Sequence, residues 1–76
     1  MNDHPNISAD PNVMTGMPCI RGTRVTVANV VRQIAAGRTA DEICSDYPYL
    51  TPDSIRAALD FAADVSASET YELLAS

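Results

Sequence analysis

Three helix starts lie close together in the middle of this chain: Thr26 before Val27, Thr39-Ala40-Asp41-Glu42, and Thr51-Pro52. Threonine is a good N-cap because its hydroxyl accepts from a backbone N–H that the first helical turn leaves unpaired. Thr39 and Glu42 have the spacing of a capping box. Pro52 suits the first helical position, where its missing N–H costs nothing, and Asp53 in that turn suits the helix dipole. Each start needs an apolar stripe. After Thr26 it is Val27, Val30, Val31 and Ile34, the i, i+3, i+4, i+7 pattern. After Thr39 it is Ile43 and Cys44. After Thr51 it is Ile55, Ala58, Leu59 and Ala62. Gly37 stands where a left-handed residue stops the first helix, and Tyr47-Pro48 ends the second near Asp46. Three short helices joined by tight connections bury their stripes only against one another. The predicted fold is mainly α, a three-helix bundle.

A different pattern precedes them. Residues 1–6 read as a polar, mobile start without the basic and apolar stretches of a secretory signal. Asp10-Pro11-Asn12 and Thr15-Gly16 are turn signals. The run Pro18–Thr26 places β-branched residues around Arg21-Gly22, which predicts a tight hairpin. So small a β element must pack on the helices or on a second protomer. The predicted organisation is a start over 1–6, one domain over 7–65 and a tail over 66–76. In the tail, Ser66-Ala67-Ser68-Glu69 can open a separate helix, or the third helix can run on through it.

With 76 residues there is room for a single core. Domains of this size bury a small fraction of their surface, and no disulfide framework or metal cluster compensates here, so self-association or a bound partner is expected. A hydrophobic content of 46% excludes a disordered chain, and no apolar run is long enough to span a bilayer. A cytoplasmic protein is expected, with Cys19 and Cys44 as reduced, core-like thiols 25 positions apart.

Charge divides the chain. Residues 1–38 carry Arg21, Arg24, Arg32 and Arg38 against two aspartates, whereas residues 39–76 carry Arg56 against eight carboxylates, for a net charge of −5. Nucleic acid is therefore not held by bulk electrostatics; a local arginine cluster would be needed. The acidic half suits a basic protein partner.

Two adjoining helices with a short turn have the layout of a helix-turn-helix, in which the start of the second enters the major groove. That puts Thr51, Ser54 and Arg56 forward as DNA-contacting residues, with Asp53 opposing phosphate; a plain helical hairpin fits the same pattern. Arg21 and Arg24 flank Gly22-Thr23, where two guanidiniums can grip a phosphate or a carboxylate, or serve solubility and an internal ion pair. Glu69, Tyr71, Glu72, Leu73 and Leu74 can fold onto the core or anchor in a partner's groove. Nothing points to catalysis, a cofactor, a metal or a small-molecule substrate. His4 reads as a solvated terminal residue, and Asp60 with Asp64 as a solvated helix face.

The order Asp10-Pro11, Gly16-x-Pro18, Ile20-x-Gly22-Thr23-Arg24-Val25, Gly37, Glu42-Ile43, Tyr47-Pro48, Leu50 and Ile55-Arg56-Ala57-Ala58-Leu59 resembles the bacterial family catalogued as domain of unknown function four-three-three. Its members look like VapB-type antitoxins. The resemblance covers about residues 7–65. It implies a homeodomain-like helix-turn-helix behind a small β element, a homodimer, and a toxin partner of the PIN-like ribonuclease kind. Arg21, Gly22, Thr23 and Arg24 match the Gly-Thr-Arg block, and Arg56 matches the arginine of the last helix. Met17 departs from the pattern, because many relatives carry a basic residue there. An antitoxin that also represses its own operon is the reading this implies. A stand-alone DNA-binding regulator and an interaction adaptor without DNA are the alternatives.

Overall fold

A computed structural model describes the backbone of residues 4–75 and the side chains of residues 4–67. The order is β1 (Ile7–Ser8), a 3-10 turn (Met14–Gly16), β2 (Cys19–Ile20), α1 (Val27–Ala35), α2 (Ala40–Asp46) and α3 (Pro52–Ala75). The fold is mainly helical, a small three-helix bundle with a two-stranded antiparallel sheet at its N-terminal side.

The helix starts form as their sequences dictate. Thr26 Oγ1 accepts from Asn29 N at 3.0 Å. At α2 both halves of the capping box are made: Glu42 N donates to Thr39 Oγ1 at 3.1 Å, and Thr39 N to Glu42 Oε1 at 2.9 Å. At α3, Ser54 N donates to Thr51 Oγ1 at 3.3 Å and Thr51 N to Ser54 Oγ at 3.2 Å, so serine plays the reciprocal part that glutamate plays at α2. Gly37 holds φ 93 just past α1, the left-handed stop.

The stripes meet in one core. Val27 and Val30 of α1, Ile43 of α2, and Ile55 and Ala58 of α3 are buried with Leu50, Ile7, Ile20 and Val25. Val31, Ile34, Leu59 and Ala62 pack against them at the edge. The β element therefore closes one side of the helical core.

Its pairing differs from the predicted hairpin. β2 pairs with β1, in the register Ile7 opposite Ile20 and Ser8 opposite Cys19. The expected return arm makes only a bridge between Cys19 and Thr26, across a four-residue loop, Arg21–Arg24. Thr23 N donates to Ile20 O at 3.0 Å around Gly22, whose φ of 80 is what a type II turn requires at its third position. The return arm cannot lengthen because Thr26 is already the cap of α1.

α3 runs as one helix through Ala75, the second of the two predicted courses. The side chains of Glu69, Tyr71, Glu72, Leu73 and Leu74 lie outside those described.

Candidate nucleic-acid and partner interface

The Gly22 turn and the start of α3 are brought together, with Arg21 between them. Arg21, Thr51, Asp53 and Ser54 line a shallow depression beside Asn6 and Ile20. On its other side Arg21 joins Gly22, Thr23, Arg24, Asp10 and Tyr49 around an open groove of about 820 Å3. Four of the predicted residues, Arg21, Arg24, Thr51 and Ser54, thus share one continuous surface. Arg56 lies one turn into α3.

Each polar group has local commitments. Arg21 donates from Nε to Pro5 O at 2.6 Å and from Nη2 to Ile7 O at 3.4 Å. In place of the internal ion pair named as one alternative, Arg21 bonds to two backbone carbonyls. Its guanidinium is held in place, with donors left over, since the group carries five. Arg24 is exposed and has no ion-pair partner among the described residues. Thr51 and Ser54 spend much of their capacity on each other, their hydroxyl oxygens lying 3.2 Å apart. Arg56 lies 3.6 Å from Asp53, both side chains largely in solvent at 74% and 86% exposure. Such a pair contributes little and is readily exchanged for a phosphate contact.

Sequence reasoning missed two features. Tyr49, in the turn between α2 and α3, is a large aromatic left 63% exposed at the groove. Its ring stands edge-on to Tyr47 at 6.1 Å. Tyr47 in turn ends a polar chain: Asp46 accepts from Arg38 at 2.6 Å, Arg38 donates to Gln33 at 2.6 Å, Gln33 to Asn29 at 3.1 Å, and Asn29 to the Tyr47 hydroxyl at 3.5 Å. A tyrosine between Pro48 and Leu50 carries a detectable signal, because nothing apolar stands at a helical interval from it. The second feature is His4. Rather than a solvated terminus, its side chain is 12% exposed, 2.7 Å from Asp64 of α3 and edge-on to Phe61 at 5.3 Å. Asp64 is thus not merely part of a solvated face. No short-range pattern couples residues 60 positions apart.

A second groove, nearly wholly apolar and about 320 Å3, runs between Met17-Pro18, α1 and the Phe61–Ser66 stretch of α3. Among the described residues no three His, Cys, Asp or Glu converge as metal ligands, and no helix is long and apolar enough to cross a membrane.

The architecture is that of a small helical bundle with a two-stranded sheet at its N-terminal side. The chain belongs to the family described as "Protein of unknown function (DUF433)", whose model matches residues 7–62. It is 34% identical over 56 residues to "Uncharacterized protein y4eO" of Sinorhizobium fredii (strain NBRC 101917 / NGR234), covering 74% of this chain and 25% of that protein. It is 40% identical over 58 residues to the protein named "Putative antitoxin VapB45" of Mycobacterium tuberculosis (strain ATCC 25618 / H37Rv), covering 76% of this chain and 24% of that one. The chain thus spans about a quarter of the length of these curated relatives. No solved structure matches it.

Proposed function

We propose that this chain is an antitoxin module that neutralises a PIN-like ribonuclease toxin by direct binding. The observation that carries this reading is the 40% identity over 58 residues to a protein named as an antitoxin. In this reading the C-terminal part of α3, with Glu69, Tyr71, Glu72, Leu73 and Leu74, is the toxin-binding segment. Its acidic residues suit a cleft built to hold RNA. Neutralisation needs no chemistry from the antitoxin; covering the RNA path is enough. The folded domain acts as a homodimer in the cytoplasm.

The α2–α3 pair supplies a helix-turn-helix in this proposal, with Arg21, Arg24, Thr51, Ser54 and Arg56 toward operator DNA. Protein binding is the primary role and DNA binding the secondary one, for a specific reason. Arg56 already faces Asp53, Arg21 is partly spent on Pro5 and Ile7, and the chain carries a net charge of −5. Only a few phosphate contacts are within reach, so operator affinity falls gently with salt.

The test is a pull-down of the tagged chain from its native cells, followed by a ribonuclease assay on what is recovered. A ribonuclease recovered in near-equal amount and silenced by adding back the chain is expected. A ribonuclease that stays active in the complex, or recovery of the chain alone, overturns the antitoxin reading. Operator titration with Arg56→Ala then decides between a stand-alone regulator and an adaptor that never touches DNA.

A further inference from the structure

The groove at the Gly22 turn shares Arg21 and Arg24 with the proposed operator-facing surface, but Tyr49 and Asp10, which also line it, have no part in toxin binding or duplex recognition as proposed. One wall is cationic: Arg21 and Arg24 line it with Gly22 and Thr23. Arg21 is a fixed cation, because two carbonyls hold it in place. Among the described residues, no acceptor pairs with the N–H groups of Gly22 and Arg24, while those of Arg21, Thr23 and Val25 are all bonded. The exposed ring of Tyr49 also lines the groove, edge-on to Tyr47 and the polar chain that ends there. Asp10 is a further lining residue, one of whose carboxylate oxygens already accepts from Asn12 N at 2.9 Å.

We propose that this groove is a binding site for a nucleotide unit, either a free mononucleotide or the 5′-phosphorylated end of a single strand. The assignment follows from the three kinds of group that line one groove. A phosphate pairs with guanidinium and turn N–H donors. A base stacks on a tyrosine face without needing a particular sequence. A carboxylate repels phosphate but accepts from ribose hydroxyls or a base amino group. Two arginines alone would suit any anion; an aromatic platform and a carboxylate in the same groove suit a ligand with an anionic end, a flat ring and hydroxyl donors. At about 820 Å3 the groove falls within the size range of small-ligand sites. Duplex DNA cannot use it in this way, because its bases are stacked within the helix.

This proposal does not rest on the antitoxin reading, and its test shares no readout with the pull-down. The isotope-labelled full chain is titrated with adenosine 5′-monophosphate, adenosine, inorganic phosphate and a 5′-phosphorylated single-stranded hexanucleotide. Amide resonances of Gly22, Thr23 and Arg24 and ring resonances of Tyr49 report binding. The nucleotide is expected to shift all four, and to bind about tenfold or more tightly than adenosine or phosphate alone. Arg24→Ala and Tyr49→Leu, both at exposed positions, are each expected to weaken it by about tenfold while leaving the circular dichroism unchanged. A hexanucleotide that binds more tightly than the mononucleotide identifies a strand end as the source; a mononucleotide that binds more tightly identifies a free nucleotide. The proposal is overturned if millimolar nucleotide and hexanucleotide leave these resonances in place. It is equally overturned if inorganic phosphate binds as well as the nucleotide, or if both variants bind like the parent chain.

Discussion

From Thr26 to Leu59 each helix is opened by a hydroxyl cap three residues from its partner and carries an apolar stripe at helical spacing. From His4 to Val25 the bonds that matter span long stretches of chain. Arg21 N donates to Asn6 O at 2.7 Å, Arg21 Nε to Pro5 O at 2.6 Å, and His4 meets Asp64 at 2.7 Å. Yet Ile7, Ile20 and Val25 from this arm lie in the same core as Ile43 and Ile55. The helices are specified locally and then packed. The arm is held by bonds between residues far apart in the chain and by its packing on the helices. The candidate site sits at the seam, since Arg21 belongs to the arm while Thr51 and Ser54 belong to α3.

The contrast breaks most severely if the helices fail. Ile43 is fully buried under α2. Ile43→Ala is expected to cost about 2–5 kcal/mol, large against the stability of so small a domain. Urea unfolding followed by circular dichroism measures it; a loss below about 1 kcal/mol would show that the core is not closed around this residue. Gly22→Ala is expected to cost about 1–2 kcal/mol, from the backbone alone, because no atom lies within 4 Å of the added Cβ and the φ of 80 stays imposed. Hydrogen exchange sharpens the comparison. If the arm opens on its own, Gly22→Ala speeds exchange at the Ile20 and Arg21 amides and Ile43→Ala leaves their local opening unchanged. Equal acceleration by both variants means that arm and helices open as one unit, and the contrast between them is only one of assembly.

The same contrast explains what could be read from the residues. Thr26, Thr39 and Thr51 announced three helices because a cap, its partner and the first apolar residues fall within one turn. Gly37 and Tyr47-Pro48 announced where two of them stop, for equally local reasons. The partner of β2 was not legible. Ile7-Ser8 is too short for any periodicity, and the β-branched run after Gly22 pointed to the nearer return arm. His4 was misread because its partner, Asp64, is known only after α3 has docked. At the site, residue types at the Gly22 turn and the α3 start were visible in advance. That Arg21 would be anchored to Pro5 and Ile7, and that Tyr49 would complete the groove, depend on tertiary packing.

The smallest expected effect belongs to the helical side and titrates. The Glu42 carboxyl sits below its ordinary value of 4.5, chiefly because Thr39 N donates to it, with the Thr39 side chain and then Arg38 adding to the shift. A carboxyl lowered by folding contributes stability above its unfolded value, and that contribution is lost as the pH falls through the lower folded value. The α2 start should therefore loosen on acidification below 4.5. The Gly22 turn should not follow, since the acceptors that hold Arg21 are backbone carbonyl oxygens rather than carboxylates. Glu42→Gln keeps a side chain that can close the capping box while removing the proton equilibrium. Its Thr39 amide should hold its exchange rate and chemical shift across the acid range, where the parent's changes. A parent Thr39 amide that is indifferent to pH would mean that Glu42 does not close the box in solution. The start of α2 would then depend on docking, as the arm does.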